Sequence, residues 1–266
     1  MATRGIVLSA DDYGLAPGVS RAIRELLDRG RLTATSCMVV SPEFDAEGRL
    51  LQPYLERADI GLHLTLTHRK SFGRVMLEAY GGRLDSRTMA AEIERQLQRF
   101  AEAIGRPPAF IDGHHHVHLL PVVRDAVAEA AHRLGAYLRL TDEPLASVFQ
   151  VGVATSSAAF LSLLSRPLAR RALRLGIERN RGFRGVRSFT EPGPFRALFR
   201  RMVEGAPAAT IVMCHPGHVD PSLEARDWVT ASREEEYRYL ASEELPADLA
   251  AAGLHLARLK DALAEA

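Results

Sequence analysis

Short runs of β-branched and apolar residues alternate along the chain with segments whose apolar positions recur every three or four residues. The run GIVLSA, residues 5–10, predicts a first strand. In PGVSRAIRELLDRG, residues 17–30, Val19, Ile23, Leu26 and Leu27 share one helical face, with Pro17 in the first turn and Gly30 as the stop. LTATSCMVVS (32–41) predicts a second strand and DIGLHLTL (59–66) a third. A helix follows over 88–104, with Met89, Ile93, Leu97, Phe100 and Ile104 on one face and Gly105 at its end. AFIDG (109–113) predicts a fourth strand, 121–134 a helix stopped by Gly135, AYLRLT (136–141) a fifth strand, and ATIVMC (209–214) a late one. Between 145 and 205 the pattern is harder to read, because Pro167 interrupts an arginine-rich helical stretch. Strand followed by helix, repeated, predicts α/β architecture with a mainly parallel sheet or barrel. No linker divides the chain, so residues 1–266 are expected to form one domain.

Composition narrows the classes of function. Apolar residues make up 47% and charged residues 25%, as in ordinary soluble proteins, and the net charge of +1 gives no electrostatic footprint for nucleic acid. Lys70 and Lys260 are the only lysines, which reads as genomic base composition and not as a binding signal. Cys37 and Cys214 each sit in an apolar run, the pattern of buried thiols in a reducing compartment. The first residues, MATRGIVLSADDYG, meet acids too early for a signal peptide, and no run reaches the roughly 18 apolar residues of a transmembrane segment. A cytoplasmic enzyme or binding protein is expected.

Four polar clusters follow or occupy strands: SADDYG after the first, GLHLTL on the third, DGHHHVH after the fourth, and CHPGHVD after the late one. Parallel α/β folds gather the carboxyl ends of their strands at one face, so these clusters are expected to converge. Asp11 and Asp12 would point to opposite faces of a regular strand. Either they cap the following helix, or one carboxylate binds a metal while the other accepts a proton. His63 is either a satisfied core histidine or a ligand beside Asp12 and His114, since two imidazoles and a carboxylate suit a catalytic divalent ion. In an extended backbone His114, His116 and His118 would share a direction, one as ligand and the others orienting it or contacting substrate, while His115 faces away. His215, past the late strand, suits a general acid, or is a turn histidine bonded to its loop. Asp220 is a candidate for the carboxylate that biases it.

These stretches together resemble the YdjC-like carbohydrate deacetylases, which include chito-oligosaccharide and hopanoid-associated deacetylases. The resemblance runs through ADDYGLAPGVSRAI, LTATSCMV, GLHLTL, DGHHHVHLLP and MCHPGHVD, covering most of residues 5–221, with Tyr13 where phenylalanine is commoner. It implies a distorted (β/α) barrel of the polysaccharide-deacetylase type. It also implies a metal held by Asp12, His63 and His114, with Asp11 as general base and His215 as general acid. The implied reaction removes the acetyl group from an N-acetylated amino sugar, free or lipid-linked. The family points to magnesium, while the donor set also suits zinc, manganese or cobalt. YLRLTDEPL and the arginines after it lean towards the hopanoid-associated branch. A homodimer is a further expectation.

Two other classes compete. A metal-dependent phosphoesterase would add a glycine-rich cradle or clustered cations at the strand ends. No cradle follows the first strand, although Arg139 is placed to reach the site. A non-catalytic sugar-binding protein would need neither Asp11 nor His215.

Overall fold

The computed structural model describes residues 3–67, 70–189 and 194–266. In chain order the elements are β1 (Arg4–Tyr13), α1 (Pro17–Asp28), β2 (Ala34–Cys37), α2 (Phe44–Arg49), β3 (Asp59–Leu64), α3 (Phe72–Tyr80), α4 (Ser86–Ile104), β4 (Phe110–Gly113), α5 (Val123–Leu134) and β5 (Tyr137–Leu138). There follow α6 (Leu145–Val151), α7 (Thr155–Leu175), β6 (Gly182–Arg184), α8 (Phe195–Val203), β7 (Thr210–Cys214), α9 (Pro221–Glu224), α10 (Ala231–Leu240), α11 (Glu244–Ala251), β8 (Leu254–Leu256) and α12 (Leu259–Ala264).

Every strand pairing is parallel, in the order β5-β4-β3-β2-β1-β7-β6. The two ends of this strip meet at a parallel bridge between Leu138 and Arg179, so the sheet curls into a distorted barrel. β8 pairs with Arg4–Ile6 at the start of β1. Strand alternation then sorts the side chains. Ile6, Leu8 and Ala10 point out, into the apolar layer shared with Val19, Ile23, Leu26 and Leu27 of α1. Each fully buried aliphatic side chain there contributes about 1.5–3 kcal/mol of transfer free energy. Val7, Ala34, Phe110, Tyr137, Phe183 and Ile211 point in, and Leu259 and Ala262 of α12 pack into the same inner cluster. Gly61 is required at this level: a Cβ there would lie 2.5 Å from the Phe110 ring. Two residues beyond Ala34, Gly61, Phe110 and Tyr137, and four beyond Val7, the inward positions become Ser36, His63, Asp112, Arg139 and Asp11. The barrel interior is apolar in its middle and charged at its mouth.

The long helices end where the sequence says they should. Asp85 accepts from the Thr88 amide at 2.7 Å to open α4, and Gly105 closes it with φ 92°. Several strands are shorter than their apolar runs: β2 spans four residues of the predicted ten, and β5 two of six. Pro167 does not break the arginine-rich helix, since α7 runs through it.

Candidate functional site

β1 carries Asp11 and Asp12 to the mouth of the barrel. Asp12 adopts φ 70°, a left-handed conformation that costs a non-glycine residue about 1–2 kcal/mol. That turn places both adjacent carboxylates on one cleft instead of on opposite faces. Asp12 Oδ1 lies 3.4 Å from His63 Nε2 and 3.1 Å from His114 Nδ1. Its other oxygen, Oδ2, accepts from Arg233 Nη2 at 2.7 Å.

His63 is held from behind. Its Nδ1 is 2.6 Å from Asp112 Oδ1 and 3.1 Å from Ser36 Oγ, which leaves Nε2 facing Asp12. Burial disfavours the imidazolium of His63, but Asp112, Asp11 and the hydrogen bonds to Asp112 and Asp12 outweigh it and push its pKa up to about 10. Donor atoms of Asp12, His63 and His114 all lie within 4.8 Å of one another. The donor chemistry fits a divalent ion: one carboxylate oxygen and two ring nitrogens converge, while the outward atoms of Asp12 and His63 are already bonded.

Asp11 has a different partner. Arg139, wholly buried on the chain just past β5, donates Nη1 to Oδ1 and Nη2 to Oδ2, the latter at 2.8 Å. The same Nη1 lies 3.0 Å from Asp112 Oδ2. Burial works against the Asp11 carboxylate, yet Arg139 and His63 prevail and hold its pKa at about 2. A second triad of donors, Asp11, His63 and Asp112, also falls within 4.8 Å. There, however, Arg139 already engages both carboxylates.

The histidine run departs from expectation. It is not extended: between His114 and Leu119 two short turns meet at a kink, where His115 and His116 take left-handed φ of 52° and 58°. The alternation that would group His114, His116 and His118 therefore fails. His115 does not face away, since it lines the cleft with its ring 4.0 Å from that of His114. His116 lines the cleft beside Phe183, with a buried Nδ1 that has no hydrogen-bond partner among the described residues. His118 turns away from the cleft and its Nε2 bonds the Arg139 carbonyl at 2.9 Å, bracing the segment that carries Arg139.

His215 follows β7 and lines the cleft, its ring 5.2 Å from Phe189. Burial lowers its pKa more than Asp11, Asp12 and Glu236 raise it, so its surroundings favour the neutral ring, contrary to the expected bias. Nor is Asp220 its partner, because that carboxylate caps α9 through the Leu223 amide at 2.8 Å and accepts from the Gly18 amide. The neighbouring acid is Glu236, which accepts from the His215 backbone N–H and pairs with Arg187 at 3.0 Å.

Sequence reasoning missed the helix behind these residues. On α10, Arg233 reaches Asp12 and Asp227, Glu234 the Val219 amide, Glu235 the Phe195 amide, and Glu236 the His215 amide. One REEE run thus ties four segments around the cleft. Its partners lie up to 221 residues away, so no local spacing announces them. Asp112 had a weak signal, as the acid two places before His114 at the end of a strand.

The cleft encloses about 480 Å³ and is walled in part by Phe72, Phe189 and Trp228. That volume suits a small organic ligand.

Comparisons with known proteins agree with this architecture. Chitooligosaccharide deacetylases of Yersinia pestis (strain Pestoides F) and Yersinia pseudotuberculosis (serotype O:1b, strain IP 31758) are each 28% identical over 232 residues, covering 82% of this chain and 83% of theirs. A solved structure from Enterococcus faecalis V583, named for cellobiose-phosphate cleavage, superposes with a TM-score of 0.71 at 20% identity, over 98% of this chain and 99% of that one. The likeness to it is one of fold. The model of the YdjC-like proteins matches residues 5–251, and the chain belongs to that family.

Proposed function

We propose that this protein is a metal-dependent hydrolase that removes the acetyl group from an N-acetylated amino sugar. The observation that carries the reading is the separation of two adjacent carboxylates. Asp12 joins His63 and His114 around one point, whereas Arg139 withholds Asp11 from that set. The relatives named chitooligosaccharide deacetylases support a sugar amide as the substrate class.

Asp12, His63 and His114 would hold the ion, and a bound divalent ion supplies Lewis-acid polarisation of the acetyl carbonyl and of water. The family resemblance implies magnesium, and the same donors suit zinc, manganese or cobalt. Asp11, ionised throughout the working pH range, takes the proton of the attacking water. Arg139 fixes both oxygens of that carboxylate, so its orientation is set before substrate arrives. His215 gives a proton to the departing nitrogen. Because its surroundings favour the neutral ring, it acquires that proton within the turnover, from the site it shares with Asp11. The products are acetate and a free amino sugar. The two cysteines are buried free thiols, which suits the reducing cytoplasm. No helix among the described residues is long and apolar enough to cross a membrane.

Among the described residues, the phosphoesterase reading lacks free cations. Arg139 does reach the site, but it is committed to Asp11 and Asp112. Lys70, Arg187, Arg226 and Arg233 around the cleft each face a carboxylate. Acetate release and phosphate release, measured side by side on N-acetylated and phosphorylated sugars, separate the two.

A further inference from the structure

Two runs of rings lead away from the reacting centre. From His114 one passes to His115 at 4.0 Å and on to Phe72 at 5.6 Å. From His215 the other passes to Phe189 at 5.2 Å, edge to face, and on to Trp228 at 6.2 Å. All six rings line the one cleft. Trp228 is the only tryptophan of the chain, and 72% of its surface is exposed. The backbone that carries it is nonetheless anchored. Asp227 takes Arg233 Nη2 at 2.7 Å on Oδ2 and the Val229 amide at 3.0 Å on Oδ1. On the other side, Arg226 is bound to Glu43 and the Leu15 carbonyl. A large apolar ring presented to solvent on a fixed loop, at the rim of a polar cleft, marks a contact surface for a ligand.

Resting on the deacetylase reading, we propose that Trp228 is the platform of a second sugar subsite. It stacks on the unit adjoining the N-acetylated one and makes an oligosaccharide a better substrate than a single sugar. A pyranose ring suits such a surface because one face presents mainly C–H groups while its rim carries hydroxyls. The aromatic ring takes the apolar face and leaves the hydroxyls of the rim in solvent. Phe189 keeps the two subsites continuous, since its ring touches both His215 and Trp228.

A single tryptophan makes the test direct. Magnesium-loaded Asp11→Asn protein is titrated with N-acetylglucosamine and with its β-1,4-linked disaccharide while tryptophan emission is followed. The proposal predicts a saturable change in emission with the disaccharide, at concentrations about tenfold lower than any change with the single sugar. In the otherwise intact enzyme, Trp228→Ala should lower kcat/KM about tenfold more on the disaccharide than on the single sugar, and Trp228→Phe should restore most of that difference. Emission unmoved by both sugars, or equal losses on both substrates, would overturn the subsite. If the emission responds but the wild-type enzyme releases no acetate from either sugar, the subsite stands and the deacetylase reading falls.

Discussion

Arg139 and Asp11 lie 128 residues apart in the chain and form a wholly buried two-pronged ion pair at the mouth of the barrel. Burial alone would raise the pKa of that carboxylate. The guanidinium reverses the sign and brings it to about 2. A carboxylate held this way carries no proton at neutral pH and is free to accept one from water, while its low pKa makes it a weak base that depends on a bound ion to acidify that water.

Weakening the pair should therefore move the acid limb of the activity profile. In Arg139→Lys one charge and one contact remain, the burial penalty is less opposed, and the pKa of Asp11 rises. Activity should fall at pH 5 more than at pH 8, relative to wild type. The same depressed pKa links Asp11 to stability. Its contribution is present above the unfolded carboxylate value near 3.9 and is lost as pH falls towards about 2. Arg139→Met, which removes the cation shared by two buried carboxylates and leaves Asp11 without its partner, should destabilise by about 3–5 kcal/mol at neutral pH, as read by denaturant unfolding. A wild-type pH profile in Arg139→Lys would remove the tuning role.

His63 provides a second pH signature. With its pKa raised to about 10 it carries a proton at neutral pH, and Nε2 must lose that proton to bind a cation. Ion binding at pH 8 should release about one proton from this residue, and affinity should rise about tenfold per pH unit towards pH 10. Calorimetric titration with magnesium or manganese in two buffers of different ionisation enthalpy counts the protons. Binding with no proton release would show that His63 is neutral or is not a ligand. In the protein free of metal the sign is the reverse of that for Asp11: the stability linked to the raised pKa is fully present below the unfolded histidine value near 6.5 and is lost as pH rises through about 10.

Arg233 constrains Asp12 from the opposite side. It occupies Oδ2 and leaves Oδ1 turned towards His63 and His114. Arg233→Met should weaken manganese binding about 10–100-fold, the usual cost of losing a group that orients a ligand, and Arg233→Lys should recover part of it. Tighter binding in Arg233→Met would mean instead that the cation acts chiefly by repelling the ion.

Much of this site could be read from sequence because strands are apolar runs and their ends collect. That logic points to the Asp11–Asp12 pair, His63 and the histidine run, the family resemblance selects Asp12 and His114 among them, and the structure brings Asp12, His63 and His114 together. The histidine run was misread for a local reason. Alternation needs an extended backbone, whereas two left-handed residues in succession, His115 and His116, kink HHHVH, a conformation that histidine tolerates but does not announce. Arg233 and Glu236 were invisible because their meaning lies in partners on β1 and after β7, brought near only by the curled sheet. The apolar runs 32–41 and 136–141 overstated β2 and β5, since apolar loop residues at the mouth read like strand.

The central claim is that Asp11 performs chemistry while Asp12 holds the ion, and acetate release by a matched set of proteins tests it most directly. Wild type, Asp11→Asn and Asp12→Asn are each assayed for bound metal and for acetate freed from the disaccharide of N-acetylglucosamine. The account predicts acetate and free amine in equal amounts from wild type. Asp11→Asn should keep its metal and lose about 10²–10⁴ in turnover, and Asp12→Asn should lose both metal and activity. Loss of metal from Asp11→Asn with retention in Asp12→Asn, or metal-loaded wild-type protein that frees no acetate, would contradict it.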